Sequence, residues 1–138
     1  MKTALVRFIT LTALFSLFTF SARAEANALT QIVKERDAVL SEIVASYEAQ
    51  FTAGMSDGED LTSAQMALCA FRRDTALTVP DKIKQQELIV QVYDKKIATV
   101  KSRMSTGIAT RLDLLTATNS LLLAKQTLEE LKLSGKKS

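Results

Sequence analysis

The sequence predicts an all-α protein: four long helices arranged as two repeated antiparallel coiled-coil hairpins. Three observations lead there. Apolar residues recur every three to four positions through four successive segments. Gly and Pro stand only at or near the breaks between those segments. One turn is written twice, as Ala53-Gly54-Met55-Ser56-Asp57-Gly58-Glu59-Asp60-Leu61-Thr62-Ser63-Ala64 and as Thr106-Gly107-Ile108-Ala109-Thr110-Arg111-Leu112-Asp113-Leu114-Leu115-Thr116-Ala117. Gly, Asp, Leu and Ala keep the same offsets in both copies, and so do Leu68 and Leu121 beyond them. A repeated unit of this size cannot bury its apolar face alone, so the two hairpins are expected to pack on each other.

The elements follow in chain order. Lys2 and Arg7 precede an apolar run over residues 8–20, which ends in Ala22-Arg23-Ala24. That pattern reads as a secretory signal over residues 1–24, and the run is too short to span a membrane. A mitochondrial presequence is the rival, since no acid precedes Glu25, but the run is too continuous for one. Export places the chain in the periplasm, with association to an outer-membrane complex as an extension of that reading. Cleavage would remove Lys2, Arg7 and Arg23 from the 18 basic residues and none of the 15 acidic ones. The mature chain then carries equal numbers of both, which gives no electrostatic reason to expect nucleic acid as a partner. No membrane span is expected in the mature chain.

Residues 25–133 are expected to form one four-helix domain, with hairpin repeats over 27–78 and 81–133 and a polar tail at 134–138. The first helix carries Leu29, Ile32/Val33, Arg36, Val39/Leu40, Ile43/Val44, Tyr47 and Phe51 on one seam and ends near Ala53. It would measure about 37 Å at 1.5 Å per residue. The second helix runs through Leu61, Ala64, Leu68, Phe71 and Thr75 and stops before Pro80. Ile83, Ile89/Val90, Tyr93, Ile97, Val100 and Met104 mark the third. Leu114, Ala117, Leu121, Ala124, Leu128 and Leu131 mark the fourth. Near-heptad seams of such length favour coiled-coil hairpins over steep crossings.

The repeated turn has a mechanical reading. Gly54 and Gly107 follow the last seam residues, where a left-handed backbone ends a helix. Asp57 and Thr110 are placed as N-caps, with Asp60 and Asp113 three residues on to complete capping boxes. Gly58 then falls inside a helix start, where alanine would be nearly neutral. Met55 and Ile108 leave an apolar residue at each loop tip. Two readings compete for them: a contact surface, or a staple folded onto the chain's own helices.

The span Gly107-x5-Asp113-Leu114-Leu115-x-Ala117-x3-Leu121-x2-Ala124 resembles the periplasmic tip of the TolC-like outer-membrane efflux proteins. Gly54-x5-Asp60-Leu61-x2-Ala64-x3-Leu68 resembles it more weakly, with Thr62 at the second apolar position and an extra Gly58. The resemblance covers roughly residues 44–80 and 90–131. It implies a module of an efflux or secretion apparatus that meets a periplasmic adaptor-type hairpin. Carried onto this sequence, the contact residues would be Gly54, Met55, Gly107, Ile108 and Arg111. The family also builds a transmembrane β-barrel, for which this chain shows no strands, so no conduit is expected from it alone. The alternative is a free-standing periplasmic bundle that binds something unrelated to transport, or only itself as a homo-oligomer.

No catalytic, cofactor-binding or metal-binding constellation emerges. The chain has no His and no Trp, one Cys and no Gly-rich phosphate loop. Asp57, Glu59 and Asp60 lack the alternating spacing of a calcium loop and read better as capping residues. Cys69 has no His to activate it and reads as a small buried residue. Arg72-Arg73 and Lys95-Lys96 read as solvated faces. Arg111 opens a helix where a cation is disfavoured, so helix stability does not account for it.

Overall fold

A computed structural model describes the backbone of residues 2–56 and 58–136, and the side chains of residues 26–56 and 58–136. The described residues form four α-helices: α1 (Lys2–Thr52), α2 (Glu59–Thr75), α3 (Val79–Ser105) and α4 (Arg111–Gly135). The all-α architecture is the one expected from periodicity. The side chains of the segment read as an export signal lie outside the described ones, as does Asp57. Among the described residues no helix is long and apolar enough to cross a membrane.

The chain divides into two compact units. Met1–Arg36 is the first stretch of α1 by itself. Asp37–Ser138 contains the rest of α1 together with α2, α3 and α4, and every pairing described below belongs to this second unit.

Side-chain pairings show that successive helices in the second unit run antiparallel. Asp37 meets Arg72, whereas Phe51, later in α1, meets Gly58, just before α2. Arg73 near the end of α2 meets Gln86, whereas Glu59 at its start meets Arg103. Gln86 reaches Ala124, whereas Arg103 lies near enough to Asp113 to act on its charge. Backbones pack α2 on α3 and α3 on α4, leaving α3 in the middle.

The core repeats with the sequence. Ala64, Leu68 and Phe71 stand at the same offsets from Gly54 as Ala117, Leu121 and Ala124 do from Gly107, and all are buried. Their 4–3 spacing is a coiled-coil seam, in which each side chain enters a gap on the facing helix. The alanines let the helix axes approach closely. Ile89 of α3 joins Cys69 and Ala124 in a small cluster, with Ala70, Val90 and Tyr93 against its edge. In contrast, α1 has no buried residue among its described ones. Leu40, Val44 and Tyr47 are half-buried, while Val39 and Ile43 on the neighbouring stripe are exposed.

The start of α3 differs from expectation. Pro80 is a starting signal as well as a break: α3 begins at Val79, with Thr78 as N-cap and Pro80 in the first turn. The missing N–H of Pro80 costs nothing there, because the first N–H groups of a helix have no carbonyl partner. Thr78 Oγ1 accepts from the Asp81 N–H at 3.2 Å and donates to its carboxylate.

Candidate interaction surface at the helix tips

Both hairpin turns are built alike. The Gly54 N–H donates to the Phe51 carbonyl at 3.0 Å, and the Met55 N–H to that of Gln50 at 2.9 Å. In the second turn the Gly107 N–H donates to Met104 at 3.0 Å and the Ile108 N–H to Arg103 at 2.9 Å. Two such bonds around a left-handed residue make a Schellman end, which satisfies the last carbonyls of a helix. Gly54 and Gly107 hold φ of 70° and 75°, in the region that strains any residue with a Cβ.

The helix starts after these turns differ. Thr110 and Asp113 form the expected capping box: the Thr110 N–H donates to the Asp113 carboxylate at 2.7 Å, and the Asp113 N–H to Thr110 Oγ1 at 3.2 Å. Backbone and side-chain hydrogen bonds from Thr110 hold the Asp113 carboxyl below its ordinary range. The first turn departs from this. Gly58, not Asp57, is the N-cap of α2, at φ 86° and with no side-chain cap bond. A Cβ there would sit 3.0 Å from the Phe51 ring. The expectation that Gly58 tolerates alanine is therefore corrected, because the extra glycine turns the chain left-handed under an aromatic lid. Asp60 lies one residue inside α2, in a first turn that Glu59 also makes acidic.

Glu59 and Arg103 pair at 3.1 Å, so the start of α2 and the end of α3 lie side by side. This sets both turns at one end of the second unit. The residues nominated for contact, Gly54 and Met55 in one turn and Gly107, Ile108 and Arg111 in the other, are all exposed there. Met55 is 74% and Ile108 67% exposed. In a Schellman end the residue after the glycine usually packs back on the preceding turn. Here both apolar residues remain mostly in solvent, although Ile108 also lines a cavity with Val100 and Arg103 of the preceding helix. Leu112, 70% exposed, extends the apolar tip into α4. A separate groove of about 460 Å³ lies among α1, α2 and α3, lined by Phe51, Leu61, Lys96, Val100 and Arg103.

Two polar features were missed at the sequence level. Arg72 is more than a solvated cation: partly exposed, it grips Asp37 through two hydrogen bonds, at 2.6 and 2.9 Å, and donates to Ser41 Oγ at 2.9 Å. The Arg72 hydrogen bond holds the Asp37 carboxyl below its usual range, and burial opposes this only in part. Arg73 is likewise engaged, with Asp74 and with Gln86. Gln86, 1% exposed, accepts from Arg73 at 2.8 Å and donates to the Ala124 carbonyl at 2.8 Å, tying α2, α3 and α4 together. Its signal was present: Ile83, Gln86, Val90, Tyr93 and Ile97 keep strict 3–4 spacing, which puts a polar residue on the seam.

Cys69 is buried as expected, and desolvation pushes its thiol up. Among the described residues no three His, Cys, Asp or Glu side chains gather as a metal site. The chain matches no protein-family model, no curated protein and no solved structure.

Proposed function

We propose that this chain is a helical-hairpin interaction module that engages its partner through the two tips at one end of the bundle. The observation that carries the reading is the pair of apolar residues, Met55 and Ile108, standing exposed on rigid Schellman turns. Exposed apolar side chains on a fixed backbone contribute to binding with little backbone ordering cost, since the turn is already formed. Arg111, the first residue of α4, adds an exposed cation at the helix end where the dipole does not favour one, and it would suit an acidic group on a partner. The partner this surface suits is another helical hairpin, an adaptor-type protein of the periplasm. That is also the role implied by the likeness to efflux-duct tips.

Met55→Asp and Ile108→Asp test the proposal in cells that export the chain. Each should leave helicity and melting almost unchanged, because neither side chain is buried. Each should weaken recovery of the partner after envelope crosslinking at the tips, because the contact would now bury an unpaired charge. A lowered melting temperature with undiminished recovery would overturn the proposal and restore the staple.

A further inference from the structure

The outer side of α1 carries a groove of about 400 Å³, lined by Val39, Glu42, Ile43, Ser46, Tyr47 and Gln50 of that helix alone. The register that sets Gly54 against Gly107 sets five of these, from Glu42 to Gln50, against Lys95, Lys96, Thr99, Val100 and Arg103. Those five form the α3 wall of the groove among α1, α2 and α3. Helix α1 thus presents outward the wall that α3 presents to α2. The other half of that pairing also recurs in the open. Glu59, Thr62 and Cys69 of α2 meet α3, and their counterparts on α4 are Leu112, Leu115 and Leu122, which are 70%, 55% and 59% exposed. The open faces are the more apolar ones. Ile43 stands where α3 has Lys96, and the three leucines stand where α2 has a Glu, a Thr and a Cys. A side turned to water should be more polar than its covered counterpart, not less.

We infer that the outer face of α4 packs against the outer face of α1 in a second copy of this chain, in the register in which α2 packs on α3 within one copy. Leu115 then shares a groove with the second copy's Ile43, as Thr62 does with Lys96. Leu112 meets the second copy's Gln50, as Glu59 meets Arg103.

Charge agrees with this pairing. Within one copy, Lys95 of α3 lines the groove across from Glu48 of α1. Between copies the counterparts are Glu42 and the second copy's Lys101, so both signs reverse together and remain opposite. Residues 38–50 of α1 hold Glu42 and Glu48 and no base. Arg111, the counterpart of Gly58, adds a second cation on the side that meets them. Asp113, the nearest acid on α4, is held by Thr110. Because α2 and α3 run antiparallel, the same packing between copies sets all their tips at one end. The contact uses the sides of the bundle, so it stands independently of the tip contact. It is also heterologous, so copies add until the two ends of the row meet. One helix face on each side makes a small interface, so the assembly should be reversible and the dilute chain monomeric.

Protein purified from cells expressing the full chain serves for the test. Sedimentation equilibrium over a roughly hundredfold concentration range should show mass rising above that of the monomer. The double variant Leu115→Asp, Leu122→Asp should stay monomeric throughout with unchanged circular dichroism, whereas Met55→Asp and Ile108→Asp should assemble like the wild type. Glu42→Lys should weaken assembly roughly two- to fivefold, and Lys101→Glu added to the same chain should restore it. In a Cys69→Ala background, Ile43→Cys mixed with Leu115→Cys should join through a short bifunctional thiol reagent, and neither should join itself. A wild-type chain that stays monomeric, an assembly that survives the two aspartates, or a charge reversal without restoration would overturn the inference. So would either cysteine variant joining itself, which means a symmetric pair. A chain carrying both cysteines that links only within itself would overturn it too, since α1 would then cover its own α4.

Discussion

Three glycines with positive φ decide how the first hairpin differs from the second. Gly54 and Gly107 have open space where a Cβ would go, so alanine there meets backbone strain alone, about 1–2 kcal/mol. Gly58 adds a steric clash with the Phe51 ring to the same strain. Gly58→Ala should therefore lower the melting temperature by several degrees, at least as much as Gly107→Ala. Thermal melts of the two variants side by side check this, and a neutral Gly58→Ala would mean that the first turn relaxes into a cap on Asp57. The sequence made Gly54 and Gly107 legible because each ends an apolar seam. Gly58 was not legible, because two glycines in one turn allow two placements of the helix start and only Phe51 above it decides between them. A further residue-scale expectation concerns Gln86. Leucine would refill its volume, and both its partners keep other bonds: Arg73 holds Asp74, and the Ala124 carbonyl belongs to a helix. Gln86→Leu should fall within about 1 kcal/mol of the native chain, whereas Gln86→Ala leaves a void and should cost about 2 kcal/mol or more by chemical denaturation.

At the scale of elements, α1 is fastened to α2 differently from the way α2, α3 and α4 are fastened together. Those three share buried apolar seams, and the tie between α1 and α2 centres on Arg72 gripping Asp37 and Ser41. The Asp37 carboxyl titrates below its ordinary value in the folded chain. A depressed folded value means that folding favours the ionised form. The resulting stabilisation is present in full above the ordinary aspartate range, near pH 4, and is lost as pH falls through the folded value. Asp113 acts with the same sign at the α4 cap. Stability should hold steady from neutral pH to about 5 and fall on further acidification, with Asp37→Asn showing a shallower acid loss. The pair is partly exposed, so at neutral pH Asp37→Asn should cost about 1 kcal/mol or less. Denaturant melts across that pH range check both statements, and an equally steep acid loss in Asp37→Asn would remove Asp37 from the account. Helix number, order and the Ala64/Ala117 and Leu68/Leu121 seams were legible because apolar periodicity is local information. The Asp37–Arg72 grip joins residues far apart in sequence, and polar residues on a seam imitate a solvated face until the neighbouring helix is in place.

For the molecule as a whole, the repeat in sequence exceeds the repeat in burial. Both hairpins carry the turn glycine and the seam, yet buried residues gather in α2, α3 and α4 while the described part of α1 has none. Periodicity reveals that a face is apolar and says nothing of what covers it, which is why the sequence suggested two equivalent hairpins. The difference follows from position: α3 has a helix on either side, and α4 lends it a continuous stripe from Ala117 to Leu128. Local opening costs least where few apolar side chains lose contact, so stability should be graded along the chain. Amide hydrogen exchange measures that gradient residue by residue. Amides around Ile89 and Val100 in α3, and between Ala117 and Leu128 in α4, should exchange slowest and approach the global unfolding free energy. Amides over residues 38–50 of α1 should exchange much faster, despite intact helical hydrogen bonds, because opening them exposes side chains that are already half in water. Disrupting the Arg72 grip with Asp37→Asn should speed exchange over 38–50 and leave 117–128 unchanged. Equal protection of α1 and α4 would show that an apolar partner covers α1 in solution, and that the graded stability drawn from burial is wrong.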